Sequence, residues 1–150
     1  MEEIIGFGWF FRNNPQIFEK YPRITKAYQH FSTAGMALAV YEEFIPFFGI
    51  SLLAYYFENE VLSALWFGLL ISLTAHFIVH IGMSICIRKY IPSLITSIIC
   101  LPVSILVIIK CVAYLTFDLG TIVVIVLSIL CMMANLKFAH FLMHRFGKRL

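Results

Sequence analysis

The sequence predicts an all-α fold: a polytopic membrane helical bundle of four full transmembrane helices, with a partial helix ahead of them. Three observations carry this. Of 150 residues, 61% are apolar and only 13% are charged, too few charges for the polar shell of a soluble domain of this size. Four apolar stretches each exceed the ~20 residues that a bilayer core requires. Basic residues gather in alternate connections, as membrane topology demands.

The elements follow in order. Residues 2–11 begin with two glutamates and continue as the apolar run IIGFGWFF, too short to span. The spans are expected at about 31–57, 61–87, 91–117 and 119–143. Their connections are very short, so neighbouring helices are antiparallel. No Gly/Ser/Pro-rich linker or repeat interrupts the chain, which reads as one domain over 1–150. The start has no basic region and no small-residue cleavage site, and so does not read as a signal peptide. Pro46 and Pro102 fall inside spans, where a proline kinks a helix. Cys86, Cys100, Cys111 and Cys131 all lie in apolar runs without metal-like spacing and read as small packing residues.

Orientation follows from charge. Arg12, Lys20, Arg23 and Lys26 precede the first span, Arg88 and Lys89 separate the second from the third, and Arg145, Lys148 and Arg149 follow the fourth. Under alternating topology these nine share one membrane face, and Glu58, Glu60 and Asp118 fall on the other. The basic face is expected in the cytoplasm, which makes this a multi-pass cell-membrane protein with a cytoplasmic C-terminus. Its partner is the lipid bilayer; a net charge of +3, tied to topology, does not indicate nucleic acid.

Ionisable residues inside hydrocarbon are costly, about 2.5–3.5 kcal/mol each at a helix centre, and so mark function. Glu42, Glu43, His76 and His80 are of this kind. At 1.5 Å per residue, Glu43 lies roughly 15 Å from the cytoplasmic end of its helix, and His76 and His80 roughly 18 and 12 Å from Arg88. Their depths match on adjacent helices. Gly35, Ala39 and Glu43 form one stripe, and Gly68, Ser72, His76, His80 and Ser84 another. Small residues mark close helix contacts, so both stripes are expected to face the bundle, with Glu42 at its edge. Histidines at i and i+4 can share one metal ion, and Glu43 could be a third ligand or a base. The alternative is a Glu–His hydrogen-bond pair that only orders the helices. His140 and His144 have the same spacing, but the polar face of their helix runs through Ser128, Cys131, Asn135 and Ala139. The stripe leading to His140 (Met132, Leu136) is apolar, so this pair reads as interfacial. His30 reads as a surface residue.

Several segments resemble the HxxEE-domain family of small bacterial membrane proteins. Residues 32–49, STAGMALAVYEEFIPFFG, are similar to the helix with a V-x-x-E-F signature, which places Glu43 on its glutamate. Residues 75–106 are similar to the H-x-x-x-H-I-G helix, the R-x-Y-x-P loop and the L-P-x-S helix that follow. Ser93 stands where the family pattern usually has glycine, a departure expected to affect a turn and not the site. Ala39 stands where a motif histidine paired with Glu42 and Glu43 would be. The better match to His-x-x-Glu-Glu is therefore Glu2 and Glu3, with the histidine just upstream of Met1. Glu3 also lies about 14 Å from the helix end at Arg12, the depth of Glu43 and His76. Residues 2–11 thus read as the inner half of a truncated span, the alternative being an interfacial helix with exposed glutamates.

The resemblance implies a shared site from Glu2, Glu3, Glu43, His76 and His80, and no established activity. Three functions compete. The first is a membrane-embedded metal-dependent hydrolase of a lipid or peptide, with zinc or iron on His76, His80, Glu43, Glu2 and Glu3, and with Glu43 or Glu3 as catalytic base. The second is an ion- or proton-binding transport module. The third is a non-catalytic membrane subunit.

Overall fold

A computed structural model describes residues 2–22 and 31–148; Arg23, Lys26, His30 and Arg149 lie outside them. Six helices are described: α1 (Glu2–Asn13), α2 (Gln16–Lys20), α3 (Thr33–Tyr56), α4 (Glu60–Ile87), α5 (Leu94–Val112) and α6 (Leu119–Gly147). The last four are long and apolar enough to cross a membrane. The third, at 19 residues, is shorter than the apolar run around it, because Ile91–Ser93 is spent on a turn and the chain leaves the helix after Val112.

The ends have recognisable causes. Ser32 caps α3 by accepting from Gly35 N (3.0 Å). Asn59 caps α4 through Val61 N and Leu62 N. Asp118 caps α6 by accepting from Thr121 N (2.7 Å), which holds its carboxyl below the usual range. Each satisfies amides that a helix start leaves orphaned. At the end of α4, Arg88 turns left-handed (φ 55°) and Lys89 N reaches Ser84 O, the six-to-one closure that stops a helix. Ser93 is also left-handed (φ 84°), a backbone that suits glycine and accounts for the family preference there.

The packing is inverted relative to a soluble bundle. Large apolar side chains such as Phe44, Ile45, Ile99, Leu106, Val126 and Leu130 are exposed, forming faces that contact lipid. Small and polar residues lie inside: Ala39, Ser84, Ser97, Ser104 and Ser128 are buried. Glycines set the closest approaches. A Cβ on Gly68 would sit 2.7 Å from Ser128 Cβ, and one on Gly35 would sit 2.9 Å from Met143 O. Small side chains let helix backbones approach in this way. Lys137 sits within the α6 span and is exposed.

The short helix α1 docks into the bundle. Phe7, Phe10 and Phe11 are buried with Met36, Ala39, Ile91, Ala139 and Met143. Gly6 lies against the ring of Pro92, where a Cβ would meet Pro92 Cβ at 2.8 Å. A second apolar cluster (Ala64, Phe67, Ile125) sits further toward the acidic end. Along α4, His76 and His80 fall between the two.

Candidate metal centre of glutamate and histidine

The site is built from α1 and α4. One helical turn separates His76 from His80, so their rings stack edge to face with centroids 4.3 Å apart and their Nε2 atoms meet at 2.8 Å. Glu3 reaches across from α1, its Oε1 3.1 Å from His80 Nε2. The donor atoms of Glu3, His76 and His80 all lie within 4.8 Å of one another. His80 is buried, and the other two are partly so.

The arrangement fits a divalent ion. Two nitrogens on a tetrahedral zinc at about 2.0–2.1 Å stand about 3.3 Å apart, a few tenths of an ångström beyond the observed 2.8 Å. Two imidazole Nε2 atoms facing each other can share only one proton, so the lone pair of one or both is directed at the common point. One feature departs from the usual metal histidine: His80 Nδ1 is buried and has no hydrogen-bond partner among the described residues, where a ligand ring ordinarily donates to a carbonyl or carboxylate.

Two cavities adjoin this group, and Glu3, Glu43, His76 and His80 line both. One, of about 160 Å³, extends between α3, α4 and α6 over Met36, Met83, Leu136 and Met143. The other, of about 200 Å³, extends toward α5 over Ser93, Thr96 and Ser97. Glu43 thus faces the centre from α3 without joining the three converging donors. Glu42 turns aside, accepting from Asn135 Nδ2 at 3.2 Å on α6.

Adjacent glutamates part company. Glu2 does not join the cluster: its carboxylate lies on the start of α5, accepting from Thr96 N (3.0 Å), Thr96 Oγ1 (2.5 Å) and Ile95 N (3.4 Å), and from the Tyr90 hydroxyl. Ser93 begins α5 with no side-chain cap of its own, so Glu2 supplies the cap from another helix. Successive helical residues point about 100° apart, which sends Glu3 to the histidines and Glu2 to α5.

Two expectations need correction. His140 is not merely interfacial; it lines the first cavity with the Glu/His group while its Nδ1 meets Leu136 O at 2.8 Å. The apolar stripe through Leu136 turns inward because Gly35 lets α3 close onto α6 at Met143. The Ser93 departure is not confined to a turn, since Ser93 is buried on the wall of the second cavity. The apolar stripe leading to His140 held no signal of the first, whereas the position between Pro92 and a helix start was a usable signal for the second.

These features define a multi-pass helical membrane protein with a glutamate–histidine group held between its helices. The chain belongs to the HXXEE family, proteins of unknown function with an HXXEE motif, which matches residues 1–107. That stretch holds Glu2, Glu3, Glu43, His76 and His80, and His140 lies beyond it. No curated protein and no solved structure matches the chain.

Proposed function

We propose that this is a membrane-embedded, metal-dependent hydrolase of a lipid or peptide. Glu3, His76 and His80 hold a divalent ion, zinc or iron, and Glu43 is the general base. The observation that supports it most is the convergence of three metal-type donors beside a fourth carboxylate that faces the same cavities. Three protein ligands with one open position characterise catalytic zinc sites, whereas structural sites are closed by four. Held by Glu3, His76 and His80, a divalent ion would supply Lewis-acid polarisation and lower the pKa of water. Glu43, facing the same cavities, would take a proton from the water that attacks the acyl carbon and return it to the leaving group as the C–O or C–N bond breaks. Glu2 acts at the end of α5 rather than as a ligand. The basic ends, with Arg12, Lys20, Arg88, Lys89, Arg145 and Lys148, face the cytoplasm on this reading, and the C-terminus lies there too.

Metal analysis of detergent-purified protein tests the centre. One zinc or iron per chain is expected, lost in His76→Ala and in His80→Ala. Full retention in both variants sinks the assignment. A C-terminal reporter that is active only in the cytoplasm tests the orientation.

A further inference from the structure

The two cavities beside the Glu/His group differ in chemistry. Met36, Met83 and Met143 give the first flexible, polarisable walls, which adapt to an alkyl chain. Its 160 Å³ holds on the order of five water-sized groups at ~30 Å³ each. Hydroxyls line the other. Ser97 is 1% exposed and its Oγ has no hydrogen-bond partner among the described residues. Ser93, 5% exposed, turns its hydroxyl toward the Glu3 carboxylate, with which it interacts. Thr96, between them in sequence, is engaged by Glu2.

Buried hydroxyls are nearly always paired, and leaving one unpaired costs about 1–3 kcal/mol. A donor held at that cost beside a reactive group is explained by an acceptor that arrives with the substrate. The acceptor's class follows from what else is present. Among the described residues neither cavity is lined by a lysine or an arginine, so their walls add no fixed cation to balance a phosphate's second charge. A carbonyl or carboxylate oxygen needs only the hydroxyl and the metal.

We infer that the substrate is a single-chain acyl compound whose acyl oxygen is held by the Ser97 hydroxyl, beside Ser93, while its alkyl chain lies along the methionine-lined cavity. This deepens the hydrolase reading and rests on it. Catalysis gains from such a donor when it is aimed at the oxygen on which charge develops. The position of the Glu/His group, shared by both cavities, puts the acyl carbon between chain and oxygen, within reach of Glu43.

The test uses the whole chain loaded with cobalt(II) in detergent, with hexanoate and acetate as probes of the acyl product. Binding is read from the visible spectrum of the metal. Hexanoate should bind at least tenfold more tightly than acetate. Ser97→Ala should bind cobalt as the unmodified protein does and melt no lower, since the lost hydroxyl has no partner, yet bind hexanoate about tenfold more weakly. Ser97→Thr, which keeps a hydroxyl, should recover most of that loss. Cobalt uptake with unchanged hexanoate affinity in Ser97→Ala overturns the inference and leaves the metal centre standing. Equal affinity for hexanoate and acetate removes the alkyl slot. Failure of the unmodified protein to take up cobalt overturns the metal reading, and this inference with it.

Discussion

Replacing Gly6 by alanine should draw the Glu3 carboxylate away from the two histidines and so weaken the proposed metal centre. The added Cβ would sit 2.8 Å from Pro92 Cβ and 2.9 Å from Pro92 Cγ. Pro92 is fully buried and its ring cannot rotate away. Ordinary carbon contacts lie at about 3.5–4.0 Å, so α1 must retreat by about 0.7–1.2 Å. Glu3, one helical turn earlier, moves with it. Its Oε1 is 3.1 Å from His80 Nε2, and the retreat takes it to about 4 Å, whereas a zinc–oxygen bond is about 2.0–2.2 Å. Losing that ligand should weaken metal affinity at least tenfold, or about 1.4 kcal/mol. Zinc competition with a chromophoric chelator in detergent measures this. Gly8→Ala is the control: its Cβ would meet Phe31 and Thr33 at 3.4 and 3.6 Å, ordinary contacts. Alanine favours a helix over glycine by roughly 0.5–1 kcal/mol, so if helix stability alone mattered, both variants would hold metal more firmly. A Gly6→Ala protein that binds zinc as tightly as Gly8→Ala would refute the coupling.

Other perturbations separate the roles of neighbouring residues. Glu3→Gln should lose bound metal, while Glu2→Gln should keep it and weaken folding by about 0.5–2 kcal/mol, the worth of a helix cap; metal content beside detergent melting curves distinguishes them, and metal loss in Glu2→Gln alone would reverse the assignment. The Tyr90 phenol is pushed up to about 12, mainly by its hydrogen bond to Glu2 and further by partial burial. Its folded value exceeds its unfolded value near 10, so the stability it lends is complete below about pH 10 and fades toward about pH 12. The difference in melting temperature between the unmodified protein and Tyr90→Phe should shrink over that window; a constant difference would mean the contact does not form. Gly68→Leu should drive α4 from α6, break the 2.7 Å bond from Ser128 Oγ to Leu65 O and cost about 2–4 kcal/mol, from overpacking plus one lost hydrogen bond. Unchanged resistance to unfolding in sodium dodecyl sulfate would contradict that close approach.

Much of the architecture was legible because the bilayer imposes a simple grammar of apolar length and basic alternation. Counting 1.5 Å per residue also put Glu3, Glu43 and His76 at one depth, and all three line the same cavity. Facing was harder. Hydrocarbon solvates an apolar stripe as well as a neighbouring helix does, so Met132 and Leu136 gave no sign that α6 turned His140 inward. Adjacent glutamates are equivalent on paper. Only the placement of α5 beside α1 decides that Glu2 caps a helix while Glu3 meets the histidines. The turn at Ser93 was visible as an exception to a glycine pattern, but its burial depends on how Pro92 seats Gly6.

That seat sets an order of assembly. α1 precedes the spanning helices in the chain, yet its partners at Pro92 and Thr96 lie at the junction of α4 and α5. This junction has its shape only once both of those helices are in the bilayer. α1 therefore completes these contacts only after α4 and α5 have met, although it also packs on Met36 and Ala39 of α3. A chain in which that junction has not formed lacks the seat that holds Glu3 beside His80.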